Sequence, residues 1–305
     1  MILKGFKINH VKGTTLTQYD EQMIVIVKTK LDRSFEKEFT IDNKALETIL
    51  KIGRLEDIEY VDDTKIRIKN DGKQYTTNLI QNPNFELNMG KQIYVGKYKL
   101  EHLLEASKCV SKNEAQTNYK GVMFDKNQNI YGVDNLRIYF NSIDKNTNYD
   151  KPQFSVTPNF FKHLISDEVD LYFTSTYVGT ILDDNTMIYS RLSSSNCPDI
   201  KPIIETPLNK KIIFKCNNDL NILTTTLVTI ENDNLKKTIT FAFKDDINEF
   251  ACTFESSGDD FKARHSFNFI KDFIKLNNEE NIIETKDNGM MKLNGNFIIA
   301  PIREI

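Results

Sequence analysis

A chain of 305 residues, 39% hydrophobic and 27% charged, has material for two or three globular domains with a sizeable core. It has no run of about 18 apolar residues to span a bilayer, and Met1-Ile2-Leu3-Lys4-Gly5 lacks the basic-then-apolar layout of a secretory signal, so a cytoplasmic location and no membrane partner are expected. With 40 Lys and Arg against 43 Asp and Glu, the net charge of −3 weighs against indiscriminate phosphate binding, though a basic concave face on an acidic molecule stays open.

In chain order, Leu3-Lys-Gly-Phe-Lys-Ile8 opens an alternating strand, followed by another near Tyr19-Asp20. Phe39 to Leu50 runs from a strand into a helix with Asp42 as its cap. Lys73 to Asn78 has the alternation of an edge strand guarded by a lysine. Lys99 to Val110 places Leu100, Leu103, Leu104 and Val110 on one helical face. Tyr119 to Phe124 and the segment around Val133-Asp134 repeat the opening strands. The stretch 141–153 is a polar loop, and Phe154 to Ile165 reads as a second strand-to-helix block capped by Thr157. Pro198 and Pro202 mark a border loop. Asn218 to Ile230 is read as an amphipathic helix matching Lys99 to Val110, Lys236 to Phe241 opens a strand, and His265 to Leu276 is a third helix block capped by Asn268.

The caps at 42, 157 and 268 are 115 and 111 residues apart, so the repeat has the size of a small domain. Three units follow, roughly 1–91, 92–206 and 207–305, and only the first lacks a helix before its opening strand.

Chemistry-bearing clusters are absent from this pattern. Cys109, Cys197, Cys216 and Cys252 have no CxxC or Cys/His spacing, and His10, His102, His163 and His265 stand singly, so no metal or cofactor is expected. Asp20, Asp134 and Asp199 could in principle serve a hydrolase, but Asp20 and Asp134 occupy equivalent places in two repeats and should not converge on one site. No P-loop, GxSxG or HExxH motif is present. A non-enzymatic protein is expected.

The residues resemble the bacterial DNA polymerase III beta-subunit (sliding clamp) family over nearly the whole chain. The resemblance rests on Asn118-Tyr-Lys-Gly-Val-Met-Phe124 with Tyr131-Gly-Val-Asp-Asn-Leu-Arg-Ile138, then Tyr189-Ser-Arg-Leu192 with Cys197-Pro-Asp-Ile200, and the tail Phe297-Ile-Ile-Ala-Pro-Ile-Arg-Glu-Ile305. The family has a leucine/glycine strand, a Thr-Asp-Gly-x-Arg-Leu segment, an Arg-Leu and Pro-Asp-Tyr pair, and an apolar-Pro-x-Arg tail in this order.

The resemblance implies an α+β DNA-clamp fold, with two three-domain protomers head to tail around duplex DNA. Basic helix residues would meet phosphates without reading bases, here Lys44, Lys51, Lys108, Lys112, Lys162, Lys271 and Lys275. It also implies a groove between the second and third domains for short peptides of the polymerase and the clamp loader. The positions matching that groove are Tyr119, Val133, Asn135, Leu136, Arg137, Ile138, Pro198, Pro202, Ile203, Asn268, Ile298, Ala300, Pro301, Ile302 and Arg303. Family closure pairs a first-domain edge with the partner's third domain, which implies a homodimer with Tyr75 and Ile230 in contact.

The sequence departs from the family pattern in carrying Asn135 for glycine, Pro202 for arginine, Lys271 for tyrosine and an extra Ile305. The first strand and helix of the family's first domain are not matched. These departures leave an alternative, a clamp-like adaptor that binds peptides without closing on DNA.

Overall fold

The computed structural model describes residues 7–19, 23–27, 31–81, 91–113, 116, 119–142, 153–182, 186–194, 197–222, 226–244, 249–287 and 289–302. It is an α+β structure dominated by antiparallel sheet, with short helices. Contacts divide the chain into two compact units, residues 1–104 with 154–195 and residues 105–153 with 196–305.

The first unit opens with β1 (Ile8–Gly13), β2 (Thr15–Tyr19), β3 (Met23–Val27) and β4 (Phe35–Asp42). The helix α1 (Asn43–Ile52) follows, then the meander β5 (Glu59–Asp62), β6 (Lys65–Asn70) and β7 (Lys73–Asn78). Alternation along β1 and β4 turns Val11, Phe39 and Ile41 inward, where they meet Ala45, Leu46 and Ile49 from α1 and Ile66 and Ile68 from β6. Each fully buried Val, Leu, Ile or Phe among them contributes about 1.5–3 kcal/mol. Asp42 caps α1 as its sequence predicts, its carboxylate accepting from Ala45 N at 2.7 Å.

Also in this unit are β8 (Ile93–Lys99), the start of α2 (Leu100–Lys108), β12 (Phe154–Val156), α3 (Pro158–Phe161), β13 (Glu168–Phe173), β14 (Tyr177–Ile181) and β15 (Met187–Ser194). Antiparallel pairs give the sheet order β4-β1-β2-β3-β15-β14-β13-β8, so β3 against β15 joins residues distant in sequence. Thr157 stands at the cap position of α3, but its side chain makes no capping bond, and Pro158 begins a helix of only four residues.

The second unit repeats this construction. Its strands are β9 (Val122–Phe124), β10 (Ile130–Val133), β11 (Arg137–Asn141), β16 (Lys210–Lys215), β17 (Leu227–Asp233), β18 (Thr238–Lys244), β19 (Glu249–Gly258), β20 (Phe261–Ser266), β21 (Glu280–Thr285), β22 (Met291–Leu293) and β23 (Phe297–Ile299). Two short helices, α4 (Lys201–Ile204) and α5 (Phe267–Ile270), complete it. One sheet runs β9-β10-β11-β23-β22-β21-β16, with β11 against β23 at its centre, and another runs β20-β17-β18-β19. The long β19 serves both, pairing with β18 over Glu249 to Glu255 and with β16 over Ser256 to Gly258. Gly258 makes that passage at φ +122°, and a Cβ there would lie 2.0 Å from the Lys211 carbonyl oxygen.

Two sequence expectations are corrected here. Asn218 to Ile230 is no amphipathic helix: a 3-10 turn covers Asn218–Ile222 and Ile230 lies mid-strand in β17. Val228, Thr229 and Ile230 are β-branched and alternate in burial, which a doubly paired strand accommodates better than a helix. The third helix block starts earlier than a cap at Asn268 implies, with Ser266 at the cap position making no side-chain capping bond and Asn268 exposed inside the four-residue α5.

Candidate functional site

The sheet β9-β10-β11-β23 carries an apolar cluster of Met123, Tyr131, Val133, Ile138, Ile200 and Ile298, flanked by half-buried Tyr119, Phe140, Cys197, Ile204 and Met290. Val133 pairs with Ile138, and Ile138 with Ile298, so three branched side chains form one row across the three strands. A groove of about 310 Å³ opens on this row. Its walls are Tyr119, the turn Asp134 to Arg137, the segment Pro198 to Ile200, Ile203, Met290 and Ala300.

Asp134 organises the turn. One carboxylate oxygen accepts from the backbone of Leu136 at 2.9 Å and Arg137 at 3.0 Å, and the other accepts from Arg137 Nε at 2.7 Å. Asn135 stays outside the left-handed backbone region, which is why the turn needs no glycine at that position. Arg137 is only 8% exposed, its guanidinium 4.1 Å from the centre of the Phe269 ring, and Nε to Asp134 is the side chain's one hydrogen bond among the described residues. The remaining fork nitrogens have no acceptor among the described residues. Leu136 and Ile203, each 42% exposed, stand at the rim, and Leu136 O accepts from Ala300 N at 2.8 Å. The groove is thus an apolar trough with one oriented cation, suited to a short apolar segment with a carbonyl or carboxylate.

Tyr119, Val133, Asn135, Leu136, Arg137, Ile138, Pro198, Ile203, Ile298 and Ala300 therefore line one groove, as residues the sequence had marked together. Four others do not line it. Pro202 is exposed in the first turn of α4, Asn268 faces solvent, Pro301 packs against Gly289, and Ile302 donates its backbone N–H to Arg264 O. Arg303, like Asp20 and Asn118, lies outside the described residues. Sequence reasoning missed Asp134, Asp199, Ile200 and Met290 as lining residues. The Asp134-x-x-Arg137 spacing of a side-chain-capped turn could have found the first. Met290 carried no signal.

The lysines marked for DNA are on the surface: Lys44 and Lys51 on α1, Lys108 at the end of α2, Lys112 beyond it, Lys162 after α3, and Lys271 and Lys275 after α5. Lys108 also bonds Glu105 at 3.0 Å and lies 5.7 Å from the Phe273 ring. Tyr75 on β7 is half-buried against the first unit's core. Ile230 is fully buried between Phe241 and Ala263, so its side chain is not available to a partner, contrary to expectation. Among the described residues no group of acidic, histidine and cysteine side chains could hold a metal, and no helix is long and apolar enough to cross a membrane.

No protein-family model matches the sequence, and no curated protein matches it. The fold has clear counterparts among solved structures. The DNA polymerase III beta chain of Streptococcus pneumoniae superposes with a TM-score of 0.77 at 16% identity, covering 98% of this chain and 91% of that one. The DNA polymerase sliding clamp of Pseudomonas aeruginosa, solved with a ligand, gives 0.77 at 13% identity over 100% and 94%. The sliding clamp of Bartonella birtlesii, bound to griselimycin, gives 0.74 at 12% over 98% and 91%. The chain has the fold of the bacterial DNA polymerase sliding clamps.

Proposed function

We propose that this chain is a DNA sliding clamp, a non-enzymatic processivity factor that encircles duplex DNA without reading its sequence and tethers a polymerase through the groove. The observation that carries this reading is a pair of unmatched strand edges. Each unit joins two halves by an antiparallel contact, four strands to four at β3 with β15 and three to four at β11 with β23. By the repeat, β19 is the third counterpart of β3 and β11, and β7 that of β15 and β23. Among the described residues, β19 pairs only with β18 over Glu249 to Glu255, and β7 pairs only with β6. A long open edge needs a partner or protection, and β19 carries Phe250 at 39% exposure. Two copies, head to tail, satisfy both edges twice and close a ring.

In this reading the repeats 1–91, 92–206 and 207–305 are three clamp domains. Lys44, Lys51, Lys108, Lys112, Lys162, Lys271 and Lys275 supply nonspecific phosphate contacts, which permit sliding because successive registers differ little in energy. The groove takes apolar segments of the polymerase and clamp loader, with Arg137 fixing a carbonyl or carboxylate, and the protein works in the cytoplasm as a homodimer.

Two measurements test it. Diluted to the single chain and allowed to reassemble in the presence of closed circular duplex, the protein should co-elute with the circle and be lost when the circle is cut once; equal retention on cut and uncut DNA would contradict encirclement. Griselimycin, the ligand of the Bartonella birtlesii clamp, should bind by calorimetry, and Arg137→Ala should weaken it by about tenfold. Affinity unchanged in that variant would remove the groove from the account.

A further inference from the structure

A second and larger cavity, of about 460 Å³, opens on the other side of the segment Pro198 to Ile200, which lines both openings. Its floor belongs to the apolar cluster already described: Tyr131, nearly buried, with Ile200, and half-buried Phe140 and Ile204. The segment from Cys197 into α4 thus rides over one apolar surface and leaves it open on two sides. Nothing in the proposed clamp function uses the second side.

The rim is rich in acceptors. Asp125, Asp199 and Glu205 stand against Lys126 and Lys201, one negative charge in excess, and Lys201 is loosely engaged with Glu205 at 3.7 Å. Asp125 is fixed by three bonds, from Asn127 N at 2.8 Å and from Asn129 N and Nδ2 at 2.9 Å each. Asp199 uses one oxygen to accept from Lys201 N at 3.0 Å and sits on the ridge common to both openings. A ligand suited to this place is flat, cationic, rich in donors and tolerant of an aromatic floor. A guanidinium has all four properties, whereas an ammonium is compact and more strongly hydrated.

We infer that this cavity takes the arginine side chain of the partner segment whose apolar residues fill the adjoining groove. The inference rests on the groove reading for its link to that segment, but the cavity's preference for a guanidinium does not. Arginine beside the apolar anchors would add specificity, because a neutral residue would leave the excess negative charge of the rim unmatched.

The full chain, with isoleucine methyl groups labelled, is titrated with N-acetyl-arginine N-methylamide and separately with the neutral isostere N-acetyl-citrulline N-methylamide. Griselimycin is titrated in parallel as the groove probe. The arginine compound should move the Ile200 and Ile204 methyl signals saturably and bind about tenfold more tightly than the citrulline compound. Glu205→Gln, on an exposed residue that lines only this cavity, should weaken the arginine compound roughly threefold and leave griselimycin unchanged. Equal binding of the two compounds, or no saturable shift at Ile200 and Ile204, overturns the inference even where griselimycin binds. Arginine selectivity without griselimycin binding would sustain the cavity and remove the groove.

Discussion

The two sheet junctions share one construction and differ in what covers them. In the first unit β3 meets β15, and large side chains fill the surface over the join. Tyr19 and Tyr189 are 9% and 2% exposed, Gln92 Nε2 donates to Tyr189 OH at 2.9 Å, and the Tyr189 ring lies where Gly179 has no side chain. In the second unit β11 meets β23, and the row over the join is Val133, Ile138 and Ile298, with Ala300 beyond. Branched and small side chains leave a trough there, and Asp134 holds Arg137 at its edge. Backbone pairing is repeated, so it cannot be what opens a groove at one junction and not at the other. Side-chain volume and one ion pair make the difference.

The largest expected effect sharpens this contrast at two glycines. A Cβ on Gly132, in β10, would lie 1.8 Å from the Ala106 carbonyl oxygen, whereas on Gly179 it would meet the Tyr189 ring at 2.1 Å. Backbone yields less than a ring, so Gly132→Ala should cost about 3 kcal/mol or more in urea unfolding, and Gly179→Ala about 1–2 kcal/mol with a changed tyrosine fluorescence. Equal costs would mean that the first junction is packed as rigidly as the second.

The units should also part on acidification. His265 on β20 is fully buried, and burial pushes its pKa down to about 4 from 6.5. Its protonation therefore favours the unfolded chain: the stability is fully present above pH 6.5, falls as pH drops from 6.5 to 4, and is then exhausted, a loss of about 3 kcal/mol. His10 in the first unit is only half-buried, with Glu38 opposing the same burial effect. Hydrogen exchange at pH 5 should show β17 and β20 opening before β1 and β4; simultaneous opening would break the comparison.

The smallest effect concerns the helix starts. Asp42→Ala removes a capping bond and should cost about 1 kcal/mol, whereas Thr157→Ala removes none and should cost close to nothing in thermal unfolding. A comparable loss at Thr157 would show that the repeated blocks are equivalent despite the different bonding.

Much of this was legible in the sequence because periodicity reports burial directly. The α1 stripe and Asp42 cap, the strands within Tyr119 to Phe124 and Lys236 to Phe241 and the Val133 to Ile138 segment follow from alternation or helical spacing, whereas the first expected opening strand, Leu3 to Ile8, lies mostly outside the described residues, and β1 begins at Ile8. The helix expected over Asn218 to Ile230 failed because an apolar run with β-branched residues satisfies either period, and long-range pairing with β18 and β20 decided between them. Pro301 and Ile302, marked by the family's tail, turn away from the groove because the backbone of Ile302 is held by Arg264. Met290 reaches the groove through chain placement far from the other walls, which no local pattern encodes.

Whether the edges of β7 and β19 meet in a second copy is read from mass in solution by light scattering over a wide concentration range. The expected mass is about twice the 35.4 kDa of one chain, falling to the single-chain mass when Phe250→Asp places a charge on the open edge of β19. A mass of one chain at every concentration would contradict the ring and leave the groove as the working part of a monomeric adaptor.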